Sequence, residues 1–301
     1  MTMVGAGGHG AVYDRGYRPY GGPRGQRGAA TMALWRASIR RALGLRRSWR
    51  QKVAPFVLLA VVTLPAVINV GIGYVTRERV VNRIEIVNYR DYVGVSSALL
   101  LFVAIIAPDV MCPDRRQRVL PLMFARPLTG LDYVVAKVGA IASIMVAFSL
   151  LPQMVLFLGN MLVSDSALDY LTGHLDVLWK VPAAVLVLAV YYGVVGVAVA
   201  SLTDRRIVAG ACIIGILLVT SIAAGILVGD DFRRRGGSPA AVINVLALPL
   251  YLRDIIFLGM VGPRSPLNEV PNGGLLALGV YLLVLAVGSA TLIWRYRWVE
   301  R

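Results

Sequence analysis

The chain of 301 residues is poor in the side chains from which catalytic and metal sites are usually built. It has two histidines, His9 and His174, and two cysteines, Cys112 and Cys212. Two cysteines so far apart are too few for a disulfide framework, and neither belongs to a metal-ligand pattern. We therefore expect no metal site, and we assign no catalytic residue.

The motifs by which many enzymes bind nucleotides or cleave bonds are also missing. No G-x-x-x-x-G-K-[ST] sequence is present, and neither H-E-x-x-H nor G-x-S-x-G occurs. Gly5, Gly7 and Gly10 match G-x-G-x-x-G, but no predicted strand precedes them and no periodic helix follows directly. Dinucleotide binding requires that context. We expect no cofactor on this chain.

Apolar sequence is what the chain has in excess. It is 57% hydrophobic with a mean hydropathy of +0.70, whereas soluble domains are about 45–50% apolar. The apolar residues form runs of about 20 residues, the length that crosses about 30 Å of hydrocarbon. We predict an all-α membrane protein. Its six transmembrane helices are predicted at about 53–75, 92–111, 134–163, 181–202, 207–229 and 274–294.

The segments outside the spans differ in character. Residues 1–30 are rich in Gly, Arg and Tyr, which predicts a disordered basic tail. Residues 31–52 predict an amphipathic helix in the membrane interface, with its arginines, Arg41 among them, toward anionic headgroups. Residues 239–262 are apolar but contain Arg253 and Asp254. Since each charge near a bilayer centre costs about 2.5–3.5 kcal/mol, we predict a half-inserted outer helix there. The six-span domain is predicted to cover 53–301.

The distribution of charge predicts the topology. The net charge is +15, and 28 of the 31 basic residues are arginine, with lysine only at 52, 137 and 180. With both termini in the cytoplasm, 21 basic residues lie in inner segments and ten in outer loops, as the positive-inside rule requires. We expect membrane lipid, and no nucleic acid, as the partner of this charge. The excess of Arg, Ala, Val and Gly favours a bacterial source, and so a multi-pass protein of a bacterial plasma membrane.

The predicted spans are almost free of ionisable side chains, and Asp109 at the edge of the second span is the nearest case. Ion-coupled transporters and proton pumps normally place Asp, Glu, His or Lys inside the helix bundle. Because the chain lacks these groups and also lacks a nucleotide-binding motif, the energy for any uphill transport must come from a partner.

The inner segment between the second and third spans carries many charges and prolines. Asp114 follows Pro113 and is a candidate N-cap for a short helix that begins RRQRVL and ends or kinks at Pro121. The charges of this segment are enough to keep it in the cytoplasm, so its apolar VLPLMF sequence needs another explanation. We therefore favour a rigid connector that a soluble partner contacts over an ordinary basic loop.

The sequence DRRQRVLPLMFARPLTGLDYVVAKVGA, residues 114–140, resembles the cytoplasmic segment of ABC-2 type permeases, the membrane subunits of bacterial ABC exporters. That family shows an acidic residue, a basic pair, a short Leu-rich helix, an RPL turn, a tyrosine and a lysine that opens the next span. The family often has Gly-Thr where this chain has Arg118-Val119. The order of elements over residues 31–301 is similar as well.

The resemblance implies two permease copies, as a homodimer or with a related chain, and a separate ABC ATPase subunit. ATP and Mg would be bound, and ATP hydrolysed, on that partner chain, so this chain is expected to be a transport subunit and not an enzyme. The cargo would be an apolar or amphipathic small molecule or a lipid. The ATPase would dock through a cytoplasmic helix at 113–126. The residues of this helix implied in coupling are Asp114, Arg115, Arg116, Arg118, Leu120, Leu122 and Arg126. Asp204, Arg205 and Arg206 of the next inner loop would add a minor contact.

Two alternatives stay open. One is an anchor or sensor subunit that binds an ABC-type ATPase without transporting a solute. The other is a membrane-embedded enzyme or assembly factor, which would need a polar cluster inside the bilayer. The candidates for such a cluster are Asn69, Ser96, Ser97, Gln153 and Asn160. The sequence assigns no substrate-binding residue.

Overall fold

The computed structural model of the protein describes residues 26–45, 49–76, 88–93, 96–124, 128–164, 166–235 and 237–297. These residues form helices and turns and contain no strand, which confirms the all-α class. The helices are α1 Arg27–Ala42, α2 Trp49–Thr76, α3 Tyr89–Tyr92, α4 Ser96–Arg116, α5 Leu120–Phe124, α6 Gly130–Val163, α7 Ala167–Gly173, α8 Leu175–Ala200, α9 Arg206–Arg235, α10 Leu248–Leu258 and α11 Gly273–Arg297. A 3-10 helix, Pro239–Ile243, precedes α10.

Five of these helices are long and apolar enough to cross a membrane, which supports a multi-pass membrane protein. The candidate spans are Phe56–Val75, Gly130–Val163, Leu175–Ala200, Arg206–Gly229 and Gly273–Arg297. They correspond to the first, third, fourth, fifth and sixth predicted spans.

Helix α4 corresponds to the second predicted span, 92–111, but is not among these five. Its 21 residues would extend over about 30 Å at 1.5 Å per residue. Its second half carries Asp109, Asp114, Arg115 and Arg116, however, so the apolar part is short. The count of six spans therefore stays a prediction.

The amino-terminal helix differs from its predicted bounds. Helix α1 begins at Arg27, so residues 27–30 are helical and not part of a disordered tail. It ends at Ala42, and the chain turns at Gly44, whose φ of 65° is left-handed and whose N–H donates to the carbonyl of Arg41. Trp49 and residues 50–52, predicted to complete this helix, belong to the first turn of α2. Residues 1–25 lie outside the described part of the chain.

Helix α8 is the centre of the bundle. It contacts α4, α6, α9, α10 and α11, and most of its apolar window is buried. Helices α2 and α9 are the least covered of the five candidate spans, so their apolar faces point outward. In a membrane these faces are available to lipid or to another protein chain.

Helices α4 and α9 approach closely because one contributes a proline and the other a glycine. Pro108 has no N–H, so the carbonyl of Ala104 loses its helical donor. Gly210 of α9 lies against this carbonyl, and a Cβ atom built on Gly210 would be 2.9 Å from its oxygen. A side chain at 210 would force the two helices apart, and with them the segments that they carry at their ends.

Candidate functional site: a charge network at one end of the bundle

Several helix termini meet at one end of the bundle, which we call the inner end. It contains the last turns of α4 and α11, the first turn of α6, and the α8–α9 loop at residues 201–205. Tyr133 of α6 and Tyr296 of α11 are in ring contact there, with centroids 4.9 Å apart. This is the end at which the sequence predicts the cytoplasmic segments.

The most buried polar group at the inner end is the carboxylate of Asp114 in α4, which is 0% exposed. Its Oδ2 atom is 2.5 Å from Nζ of Lys137, and its Oδ1 atom pairs with the guanidinium of Arg41. The hydroxyl of Tyr133 donates to Oδ2 at 3.1 Å. We call Arg41, Asp114, Tyr133 and Lys137 the buried ion cluster. It joins α1, α4 and α6 through one carboxylate.

The phase of α6 places two members of this cluster on one face. Thr129 caps α6, since its hydroxyl accepts from the N–H of Asp132 while the Asp132 carboxylate accepts from the N–H of Thr129. Tyr133 and Lys137 are then one turn apart and point toward α4. Lys137 also donates to the carbonyl of Val110 at 3.0 Å and lies 5.3 Å from the Tyr133 ring centroid. A lysine that is 1% exposed therefore has partners on two sides.

The predicted helix that would begin at Arg115 and end at Pro121 is wrong. Helix α4 continues through Pro113 to Arg116, so Asp114 lies in its last turn and is not an N-cap. The chain then turns at Arg118, whose φ is 50°. Pro121 lies at the second position of the short helix α5 and begins that helix instead of ending it. A proline in α4 removes only one backbone donor, and the partners of Asp114 hold the last turn in place.

A second set of ion pairs connects α4 with the loop between α8 and α9. Nε of Arg115 is 2.9 Å from Oδ1 of Asp204, and the Arg115 guanidinium also donates to the carbonyl of Ser201. Asp109, which precedes Arg115 in α4, pairs with Arg206 at the start of α9. The structure therefore brings together the two inner loops that carry the predicted coupling residues.

The predicted coupling residues divide into packed and exposed groups. Asp114 and Leu120 are buried, and the Arg115 side chain is mostly covered at 19% exposure. The exposed members of the set are Arg116, Arg118, Asp204, Arg205 and Arg206. The side chain of Leu122 and the whole of residue 126, predicted as Arg126 of the coupling set, lie outside the described residues.

Two cationic members of the buried ion cluster were missed as site residues. Arg41 was predicted to face lipid headgroups, but it turns inward to Asp114. The sequence predicts Lys137 as a charge at a membrane edge and as the lysine that opens the third span, but not as a site residue. A single lysine followed by a long apolar helix requires a partner, because an unpaired charge in that position is costly. That signal was available in the sequence for Lys137, whereas nothing in the pattern of α1 distinguishes Arg41 from Arg40.

Two of the polar residues considered for a membrane-embedded enzyme, Gln153 and Asn160, make contacts between helices. Gln153 donates to the carbonyl of Tyr89 at 3.2 Å, and Asn160 donates to the Tyr89 hydroxyl at 3.3 Å. That hydroxyl is 2.6 Å from the hydroxyl of Tyr170. These contacts connect α3, α6 and α7 at the opposite end from the buried ion cluster. The part of the chain that the structure describes contains no group of His, Cys, Asp or Glu that could hold a metal ion.

A scan against protein-family models finds none that matches this chain, and a search of curated proteins finds no match either.

Proposed function

We propose that the chain is the membrane subunit of an ABC exporter of the ABC-2 type, driven by a separate ATPase. One observation carries this proposal: the two loops that the resemblance assigns to the ATPase contact lie side by side at the inner end. The Arg115–Asp204 pair joins them, while Arg116, Arg118 and Arg205 stay exposed. We call residues 116–118 and 202–206 together the docking surface. It is basic and exposed, and it is continuous with three long helices, α4, α8 and α9.

The packed residues behind the docking surface give it a mechanical role. A force on residues 116–118 acts directly on α4. The pair of Asp114 with Lys137 carries it to α6, and the pair of Arg115 with Asp204 carries it to the α8–α9 loop. Because Asp114 and Lys137 are buried together, separating their charges is costly, so α4 and α6 move as a unit when the ATPase closes. Such movement would open a path for an apolar or amphipathic cargo, a small molecule or a lipid.

The proposed topology places six spans in a bacterial plasma membrane with both termini inside. In this topology helix α4 is the second span, although its charges keep it out of the five candidate spans found from hydropathy. Helix α10 has 11 residues, about 16 Å at 1.5 Å per residue, which is too short to cross. Its two charges pair with each other at 2.7 Å, Arg253 to Asp254, and Arg253 donates to the carbonyl of Val93 at 2.8 Å. These contacts support a half-inserted helix at the outer end.

A second copy of the chain is the partner that the uncovered face of α9 fits best. This face carries Ala211, Gly215, Leu218, Ile222, Gly225 and Gly229, spaced at three and four residues. A Cβ atom built on Gly215, Gly225 or Gly229 would meet nothing within 4 Å. Small residues at this spacing allow membrane helices to pack closely, and Gly225 and Gly229 form a GxxxG motif.

Replacing Gly225 by leucine is expected to raise the dissociation constant of this dimer about tenfold, because the larger side chain keeps the helices apart. The dimer fraction of labelled protein in liposomes, measured by energy transfer over a dilution series, gives the constant. Gly279→Leu in α11 is the matched control, since its built Cβ also meets nothing. Equal weakening by both substitutions would contradict the assignment of the dimer face to α9.

Reconstitution with an ABC ATPase that co-purifies with this chain tests the transport function. We expect ATP, but not ADP, to drive movement of a fluorescent phospholipid or an amphipathic dye across proteoliposomes that contain both proteins. Liposomes with this chain alone should show no movement. ATP hydrolysis without movement of any compound in a chemical panel would favour the anchor or sensor function. Chemical conversion of a substrate without the ATPase would favour the membrane-embedded enzyme.

A further inference from the structure

A cavity of about 390 Å³ lies at the inner end, and no residue of the docking surface lines it. It is lined by Arg27, Thr129, Gly130, Leu131, Ile293 and Arg297. Three helices form it. Arg27 belongs to α1, residues 129–131 lie at the start of α6, and Ile293 and Arg297 lie in the last turns of α11. Two cationic groups thus face one space.

The two arginines of this cavity are arranged differently. Nε of Arg27 is 2.6 Å from Oδ2 of Asp132, its Nη2 atom is 3.0 Å from Oδ1, and Nη2 also donates to the hydroxyl of Thr129 at 2.9 Å. These contacts fix the guanidinium at the rim, where 57% of its side chain is exposed. Arg297 is exposed and adds a second positive charge. With one carboxylate against two guanidinium groups, the site keeps a net positive charge.

The apolar side chains of the cavity are continuous with exposed apolar side chains on the side of the helix bundle. Leu131 is 52% exposed and Ile293 36% exposed, and the neighbouring Trp294 is 67% exposed. Exposed apolar side chains and a tryptophan next to arginines are typical of the level at which lipid headgroups meet acyl chains. A ligand that is anionic at one end and apolar at the other matches both halves of the site.

We infer that this cavity binds the headgroup phosphate of an anionic phospholipid in the inner leaflet, with its acyl chains along Leu131 and Ile293. Guanidinium groups bind phosphate through paired N–H donors, and basic pockets between spans on the cytoplasmic side bind anionic lipids. The bound lipid would connect α1 to α11 across the start of α6. The inference rests on the proposed inner-side topology and does not depend on the ATPase.

Lipid titration of the purified, delipidated chain in detergent tests this site. We expect phosphatidylglycerol to raise the melting temperature in a saturable manner, and phosphatidylcholine with the same acyl chains to have little effect. Inorganic phosphate alone should not reproduce the rise, since it lacks the apolar half of the ligand. Arg297→Gln should weaken the apparent affinity for phosphatidylglycerol about tenfold, because it removes one charge-assisted contact.

Arg264→Gln is the matched control, because Arg264 is an exposed arginine between α10 and α11 that does not line the cavity. It should leave the titration unchanged. Equal stabilisation by the two lipids would overturn the inference, as would the same loss of affinity in both variants. A rise produced by inorganic phosphate alone would also overturn it. Because no ATPase is present, a failure here is distinguishable from a failure of transport.

Discussion

Replacing Lys137 by methionine should lower the free energy of unfolding by about 3–5 kcal/mol. Methionine has a similar length and fits the apolar surroundings, so the loss comes from charge and not from volume. Among the described residues, Arg41 would then be the one cation paired with the buried Asp114. Unfolding of the purified protein in detergent, followed by tryptophan fluorescence over a denaturant or temperature series, measures the change.

The matched control is Lys180→Met in α8. Lys180 pairs with Asp176 at 2.8 Å, but the Asp176 side chain is 52% exposed, so the pair is worth at most about 1 kcal/mol. The double variant Asp114→Asn with Lys137→Met should recover much of the loss, because it leaves no unpaired buried carboxylate. A loss at Lys137 no greater than that at Lys180 would show that the buried ion cluster does not stabilise the bundle.

Reversing two charges of the docking surface should uncouple the transporter. The variant Arg116→Glu with Arg118→Glu is expected to reduce transport and transport-dependent ATP hydrolysis about tenfold or more, because like charges set against a complementary partner cost several kcal/mol. Both side chains are exposed, so the fold and membrane insertion should be preserved. ATP-driven transport in proteoliposomes gives the coupling, and the melting temperature reports on the fold.

Two arginines on α1 provide the control for that charge change. Arg36 and Arg40 are also exposed, and Arg36→Glu with Arg40→Glu alters the net charge by the same amount. This variant should transport at close to the normal rate. If both double variants lose activity equally, the effect is one of overall charge, and the assignment of the docking surface to residues 116–118 fails.

The membrane helices were predictable because each is specified by local composition. Helix α8 covers Leu175–Ala200, where the sequence predicts a span at 181–202. Helix α11 covers Gly273–Arg297, where the sequence predicts a span at 274–294. Runs of Leu, Val, Ala and Gly satisfy the length criterion without any knowledge of neighbours. The range 239–262, predicted as one half-inserted helix, is divided in the structure into the 3-10 helix Pro239–Ile243 and α10 Leu248–Leu258.

The buried ion cluster could not be predicted in this way, because its members meet only in the folded chain. Asp114 and Arg41 are 73 residues apart in sequence. Pro113 directly before Asp114 favours a helix start from local rules, whereas the structure continues the helix and buries the carboxylate. The tertiary partners of Asp114 therefore override the local signal. The Thr129 and Asp132 capping pair, in contrast, was visible in the sequence as T-x-x-D.

The amino-terminal helix shows the same limit. Residues 31–52 are predicted to lie in the membrane interface, yet the indole of Trp35 donates to the hydroxyl of Ser143 in α6 at 3.3 Å. A helix that packs on a neighbour and one that lies on a membrane both need an apolar stripe with basic residues beside it. Only the partner helix distinguishes the two arrangements, and a single sequence does not identify that partner.

Site-specific photocrosslinking at position 118 tests most directly whether a separate ATPase docks at the inner end. A photoreactive amino acid replaces Arg118, and the same residue placed at Arg264 serves as the control, because both positions are exposed. We expect the residue at 118 to capture, in intact cells, one polypeptide that carries a Walker A motif and an ABC signature, and the residue at 264 not to capture it. No ATPase in the product from position 118, or the same ATPase from both positions, would contradict the proposed docking.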